Sequence, residues 1–148
     1  MKNIILAIDF SESTQRILDN AIEVAKAFSA HLYIIHVAAP NPDFVGYEAG
    51  PQSERDAVAA HYHKEHRELD GFADKARQQG IDATALLVQG STVEMLVLER
   101  ERLQADLMVV GSHGRSAMFQ LVVGSTSEGL IRKAGGPVMI IPCSVSGG

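Results

Sequence analysis

The sequence predicts an α/β fold, in which a doubly wound parallel sheet of five strands carries helices on both faces. Five short apolar runs, rich in valine and isoleucine, are mostly continuous rather than alternating, as expected for strands covered on both sides. Helical patterns lie between them, and strict alternation of strand and helix implies right-handed crossovers in a Rossmann-like sheet. The 148 residues suit one domain, so we expect a single unit over 1–148. The predicted strands span residues 4–8, 32–38, 83–88, 107–110 and 138–141.

Each of the four predicted helices has its own pattern. Apolar residues recur at spacings of three and four over residues 17–28, which gives the first helix one apolar face. The second helix, about residues 53–78, is polar and highly charged, so we expect it to be long and exposed. The third and fourth open with Ser91 and Ser125, each followed three residues later by glutamate, which is the capping-box pattern.

Composition excludes several classes of function. Thirteen basic against eighteen acidic residues give a net charge of −5, which argues against nucleic acid as the main partner. The apolar run at the start is interrupted by Asp9 and is shorter than a signal peptide requires. No segment approaches the roughly 20 apolar residues of a membrane span. We therefore expect a cytoplasmic protein without a membrane partner. The single cysteine, Cys143, suggests neither a disulfide nor a structural zinc site.

The loop after the fourth predicted strand contains the residues best suited to bind an anion. Gly111 and Gly114 can admit a ligand against bare backbone. Gly124 and Ser125 stand at the start of the fourth helix, where free backbone amides and the helix dipole favour an anion. The Thr126 hydroxyl adds a donor. The pattern indicates a main-chain cradle for phosphates.

Two other phosphate loops do not match. A Walker loop ends in Gly-Lys-Ser/Thr, but no lysine follows Gly114 or Gly124. A dinucleotide fingerprint would place Gly-x-Gly-x-x-Gly directly after the first strand, where this chain has Asp9, Phe10 and Ser11.

The spacing Gly-x₂-Gly-x₉-Gly-Ser, from Gly111 to Ser125, resembles the nucleotide-binding signature of the universal stress protein A family. The similarity extends over essentially the whole chain, including residues 7–11, 36–37, 106–111 and 136–141. It implies the strand order 3-2-1-4-5 and, because the glycine signature is intact, membership of the branch that binds ATP.

The resemblance also implies roles for individual residues. Asp9 would lie beside the ribose or a bound metal, Val37 would meet the adenine edge through its main chain, and Ala7 would flank the base. Val110 and Gly111 would border the ribose and the first phosphates. The residues that would hold the phosphate chain are Gly114, Arg115, Gly124, Ser125 and Thr126.

Asp9 has two interpretations. A carboxylate at the end of the first strand could hold Mg²⁺ or Mn²⁺ together with the nucleotide phosphates. Alternatively, Asp9 could cap the first helix together with Ser11 or Ser13.

The histidines favour structural interpretations. His61, His63 and His66 cluster on the second helix, but with Glu65 and its charged neighbours around them we interpret the cluster as a solvated face. His36 lies in a strand, where we expect a core or near-site histidine with its hydrogen bonds satisfied. No serine or cysteine nucleophile set stands out, so no catalytic residue is assigned.

Three functional hypotheses remain open. The first is a stress-response regulatory protein in which ATP, or ADP or AMP, changes conformation, oligomeric state or partner binding. The second is a slow ATPase, or another enzyme acting on an adenylated substrate, with His113 or Arg115 stabilising phosphoryl charge. The third is an interaction protein with a vestigial pocket. The run Val138–Ile141 would form the sheet edge, and the resemblance implies a homodimer through it.

Overall fold

The computed structural model describes residues 1–10, 12–38, 52–111 and 131–142, and of residues 52–59 only the backbone. Its five strands form one parallel sheet in the order β3-β2-β1-β4-β5, which confirms the predicted fold class and strand order. The elements are β1 Asn3–Ala7, α1 Thr14–Phe28, β2 His31–Ala38, α2 Gln52–Gln78, β3 Ala83–Gln89, α3 Thr92–Leu103, β4 Leu107–Gly111 and β5 Val138–Ile141.

The central strands β1 and β4 are the most deeply covered part of the sheet. Every residue of β4 and all but the first of β1 are buried, which explains why their sequences are continuous apolar runs. Alternate residues along β1 belong to two separate cores. One contains Ile4 and Leu6 with α1 and α2, and the other contains Ile5 and Ala7 with α3.

The first helix has the predicted apolar face. Ile17, Leu18 and Ala21 are almost completely buried against the sheet, and the helix ends at Ser29 in the left-handed conformation, φ 53°. The amide of Ala30 donates to the Ala25 carbonyl at 2.9 Å, which satisfies a carbonyl that the end of the helix leaves open.

The second helix departs from the prediction of an exposed element. Its sequence is polar on average, but Leu69, Ala73 and Ala76 are completely buried in the core that also contains α1. Their spacing of three and four residues is a narrow apolar stripe, which the many charges around it conceal. Over residues 60–78, the helix therefore buries one side and exposes the other.

The third helix begins as predicted, but its predicted capping box is wrong. Ser91 is the N-cap residue and makes no side-chain capping hydrogen bond. Residues 131–133 are helical, and β5 follows at the sheet edge, as the sequence predicts. In the part of the chain that the structure describes, no helix is both long and apolar enough to cross a membrane.

Candidate functional site

The carboxyl ends of β1, β2 and β4 meet at one edge of the sheet. The chain proceeds from β1 through β2 to β3 on one side and then continues on the other side with β4 and β5, so the strand order reverses between β1 and β4. Ligands of such sheets bind in the crevice at this reversal. Three predicted site residues, Ala7, Val37 and Val110, lie in one buried cluster here. Gly111, which follows Val110 and ends β4, is also buried.

Asp9 lies at the same edge, two residues beyond the end of β1. It is only 8% exposed and takes part in interactions within the fold. A largely buried carboxylate requires hydrogen-bond donors or a cation around it. Its place beside the strand reversal makes it suited to ribose hydroxyls, which donate, or to a metal ion carried by phosphates.

The described part of this edge holds no ready-made metal cage. In residues 1–10, 12–38, 60–111 and 131–142, no three histidine, cysteine, aspartate or glutamate side chains are grouped to hold a metal ion. A phosphate-bound Mg²⁺ needs only one or two protein carboxylates, because water and phosphate oxygens complete its coordination. The single carboxylate of Asp9 fits that arrangement, and its role as a metal ligand stays a prediction.

The start of α1 adds a second polar group to this edge. Ser13 is the N-cap residue, and its side chain makes no capping hydrogen bond. Thr14 is 3% exposed, and its hydroxyl oxygen has no hydrogen-bond partner among the described residues. An unpaired buried hydroxyl costs roughly 1–3 kcal/mol.

Phe10 gives the turn after Asp9 an unusual backbone. Its φ is 59°, in the left-handed region that large side chains seldom adopt. The other two non-glycine residues described with positive φ, Ser29 and Gln104, are C-cap residues, where this conformation is ordinary. The Phe10 ring packs 4.6 Å from the His36 ring and 6.3 Å from the Phe72 ring, centroid to centroid. Packing therefore holds the strained turn in place.

His36 joins this turn to α2. Its Nδ1 lies 2.9 Å from the Ile8 carbonyl oxygen, and its Nε2 lies 3.0 Å from Oε2 of Glu65. The other Glu65 oxygen lies 3.1 Å from His61 Nε2. His36 and Glu65 are 12% and 14% exposed, whereas His61 is 66% exposed. The expectation that the hydrogen bonds of His36 are satisfied is confirmed.

Sequence reasoning missed Glu65. We placed it on a solvated face with the histidine cluster, but its carboxylate points inward to β2. His61 and His66 are exposed as predicted, and His66 pairs with Asp70 at 3.3 Å. The signal that could have located Glu65 is its place four residues before the buried Leu69, on the inner stripe of α2.

The remaining predicted site residues lie outside the described part of the chain. They are Gly114, Arg115, Gly124, Ser125 and Thr126. Outside it too are the possible cap Ser11, the alternative charge-stabilising group His113 and the single cysteine, Cys143.

Among the described residues, cavities also lie at the opposite, amino edge of the sheet. One, of about 230 Å³, is bordered by Lys26 and Ser29 at the end of α1 and by Gly80 after α2. Another, of about 280 Å³, is bordered by Arg100 and Gln104 at the end of α3. Helix C-terminal ends carry partial negative charge, which opposes the attraction of Lys26 and Arg100 for an anion.

A doubly wound parallel sheet with a buried carboxylate at its strand reversal places this chain in the class of α/β folds whose ligand sites lie beyond the carboxyl ends of the strands. The universal stress protein family matches residues 1–142 of this chain. A universal stress protein of Thermus aquaticus is 30% identical over 146 residues, covering 95% of this chain and 98% of its own length. The chain belongs to the universal stress protein family.

Two further comparisons agree in sequence and in fold. A universal stress protein of Methanocaldococcus jannaschii is 28% identical over 141 residues, which cover 95% of this chain and 81% of that protein. The crystal structure of a universal stress protein in complex with cAMP superimposes with a TM-score of 0.68 at 26% identity. That superposition covers 97% of this chain and 98% of the other.

Proposed function

We propose that this chain binds an adenine nucleotide, such as ATP, and acts as a stress-response regulatory protein through nucleotide-dependent conformation or partner binding. One observation carries the proposal: the strand reversal brings Ala7, Val37 and Val110 together beside the buried Asp9. A related universal stress protein, 26% identical, was solved with cAMP, which is also an adenine nucleotide.

Each part of this edge has a role that its chemistry supports. The small apolar surface of Ala7 and Val37 suits an adenine ring, with main-chain groups reading its polar edge. The Asp9 carboxylate can only accept hydrogen bonds when ionised, so it suits the ribose hydroxyls. The loop from Gly111 to Thr126 would hold the phosphates by its amides, with Gly114, Arg115, Gly124 and Ser125 nearest to them.

The test begins with the protein as purified. Denaturation followed by mass spectrometry should release an adenine nucleotide, and calorimetry on the emptied protein should detect ATP, ADP or AMP binding. If denaturation releases none and calorimetry detects no binding, the proposal is wrong.

Asp9→Asn tests the part of the site that the structure describes. A charge-assisted hydrogen bond contributes about 1.5–3 kcal/mol, so ATP affinity should fall about tenfold or more. If Asp9 contacts the ribose, 2′,3′-dideoxy-ATP should bind both forms equally. If Asp9 contacts a metal, the loss should disappear without Mg²⁺ or Mn²⁺. Asp74→Asn is the matched control, because Asp74 of α2 is 62% exposed, and it should leave ATP affinity unchanged.

The proposal extends to a homodimer that pairs through β5. Support comes from the edge position of this strand and from Ile140, which is 37% exposed in it. Light scattering of the purified protein should give twice the 15.9 kDa chain mass, and Ile140→Lys should reduce it.

A further inference from the structure

The contacts of His36 require one proton more than a neutral histidine and an ionised glutamate contain. The Ile8 carbonyl can only accept, so Nδ1 of His36 must donate to it. An ionised Glu65 can also only accept, so Nε2 must donate as well. If Glu65 is protonated instead, it donates to Nε2, and the proton count is the same. Loss of that proton leaves two acceptors 3.0 Å apart.

The link connects elements that are far apart in sequence. Ile8 follows the last residue of β1 and precedes Asp9, and Glu65 lies in the middle of α2. The His36 ring also packs on Phe10, whose backbone is strained. The turn that carries Asp9 is therefore held from β2 and α2 through one imidazole ring.

Few ionisable groups among the described residues surround this ring. On α2, Glu65 contacts it and His61 contacts Glu65. Its pairing partner on β3, Leu87, is apolar. Two further charged groups near the turn are Asp9, one residue beyond Ile8, and Lys75, which lies 5.5 Å from the centroid of the Phe72 ring.

We propose that His36 and Glu65 form a proton-dependent positioning link between α2 and the turn that carries Asp9, and that this link couples proton binding to nucleotide binding. The coupling rests on the proposed function, whereas the link does not. The link therefore gains its shared proton as the pH falls and loses it as the pH rises. By reciprocity, a nucleotide that needs the ordered turn binds more tightly when the pair holds its proton.

Glu65→Gln gives the sharpest test because it changes the chemistry and keeps the shape. The side-chain amide of the introduced glutamine donates, so it can pair with the free Nε2 of a neutral His36. Between pH 6 and pH 8 the wild-type Tm should fall by about 2–4 °C more than that of Glu65→Gln. His36→Gln, which removes the titrating ring, should lose the same part of the pH dependence. His66→Gln is the control, because the His66–Asp70 pair on the same helix is half exposed on both sides.

Calorimetry of ATP at the same two pH values tests the coupling. Wild-type affinity should weaken about fivefold more than that of Glu65→Gln, and titration of ATP itself cancels in this comparison. An equal pH dependence of Tm in the wild type and Glu65→Gln would overturn the link. A Tm response without any difference in ATP affinity would overturn the coupling. Absence of ATP binding at every pH would instead refute the proposed function, while the melting data would still decide the link.

Discussion

The two ends of the sheet are built differently. At the amino edge, polar groups are tied together: Arg100 is 6% exposed, and its guanidinium donates to the carbonyls of Pro137 at 2.9 Å and Asp106 at 3.2 Å. Burial lowers the pKa of this guanidinium, while the Asp106 carboxylate acts in the opposite direction. That carboxylate accepts from the amides of Lys2 and Asn3 at 2.7 and 3.1 Å.

The carboxyl edge has the opposite character. Phe10 is strained, the Thr14 hydroxyl has no described partner, and the His36 contacts require an additional proton. Polar groups are therefore paired at the amino edge, whereas strain and a hydroxyl without a described partner remain at the carboxyl edge. Such features cluster at functional sites, so the carboxyl edge is the better candidate for one. Substitutions at the two ends should therefore change stability in different directions.

Arg100→Ala should have the largest effect. It removes two charge-assisted hydrogen bonds from a buried site, although the Pro137 carbonyl keeps the Met108 amide as a donor, so we expect a loss of about 3 kcal/mol. The Tm should fall by about 6–12 °C in a thermal melt. Arg16→Ala, on the exposed Arg16 of α1, is the control and should shift Tm far less.

The packing of Arg100 also explains one glycine. A Cβ at Gly136 would overlap the Arg100 guanidinium, so the hydrogen bonds of Arg100 need a residue without a side chain there.

The Arg100 prediction has a clear contradicting outcome. If Arg100→Ala melted within about 2 °C of the wild type, the hydrogen bonds of Arg100 would not be what stabilises the amino edge.

Thr14→Val should change stability in the other direction. Valine has nearly the shape of threonine but no hydroxyl to bury, so we expect a gain of about 1 kcal/mol, or about 2–4 °C in Tm. Thr92→Val is the matched control, because Thr92 also opens a helix but is only half-buried. A fall in Tm for Thr14→Val alone would mean that the Thr14 hydroxyl is bound by a group that stabilises the fold.

Asp106→Asn should have the smallest effect, and the effect should depend on pH. The amides of Lys2 and Asn3 hold the pKa of Asp106 below its ordinary value. Because the folded-state pKa is the lower one, its contribution to stability is present above the ordinary aspartate pKa and is lost as pH falls through the folded value.

The measurement is a pair of melting curves. At pH 7 the Asp106→Asn variant should melt about 1–2 °C below the wild type, and this difference should shrink as the pH falls below the ordinary aspartate pKa. The exposed Asp82 provides the control, since Asp82→Asn should show no such difference. A difference that grew toward low pH would contradict the assigned sign.

Much of the fold could be predicted because its signals are local. The apolar runs of β1 and β4 are continuous since both faces of those strands are covered, and burial leaves that mark in the sequence itself. The apolar stripe of α1 is equally local. The stripe of α2 was missed because three small or aliphatic residues, Leu69, Ala73 and Ala76, lie among many charges.

The candidate site was predicted in part for a related reason. Ala7, Val37 and Val110 were assigned from the family resemblance, which rests on local motifs, and the parallel strands bring them together at one edge. Glu65 could not, since its partner His36 is 29 residues away and nothing local distinguishes it from the exposed acids of α2. The same holds for Arg100, whose acceptor on Pro137 lies 37 residues further along.

By itself the sequence determined the class of fold, the strand edge at which we expect a ligand and the glycine spacing that suits phosphates. These features could be predicted because hydrophobic periodicity and the conformational freedom of glycine depend only on residues that are close in sequence. Tertiary structure alone decided that Glu65 faces inward, that Phe10 is held in a left-handed turn and that Arg100 ties β4 to β5. Each of these depends on a contact between distant segments, where burial forces polar groups to find partners that the local pattern does not specify.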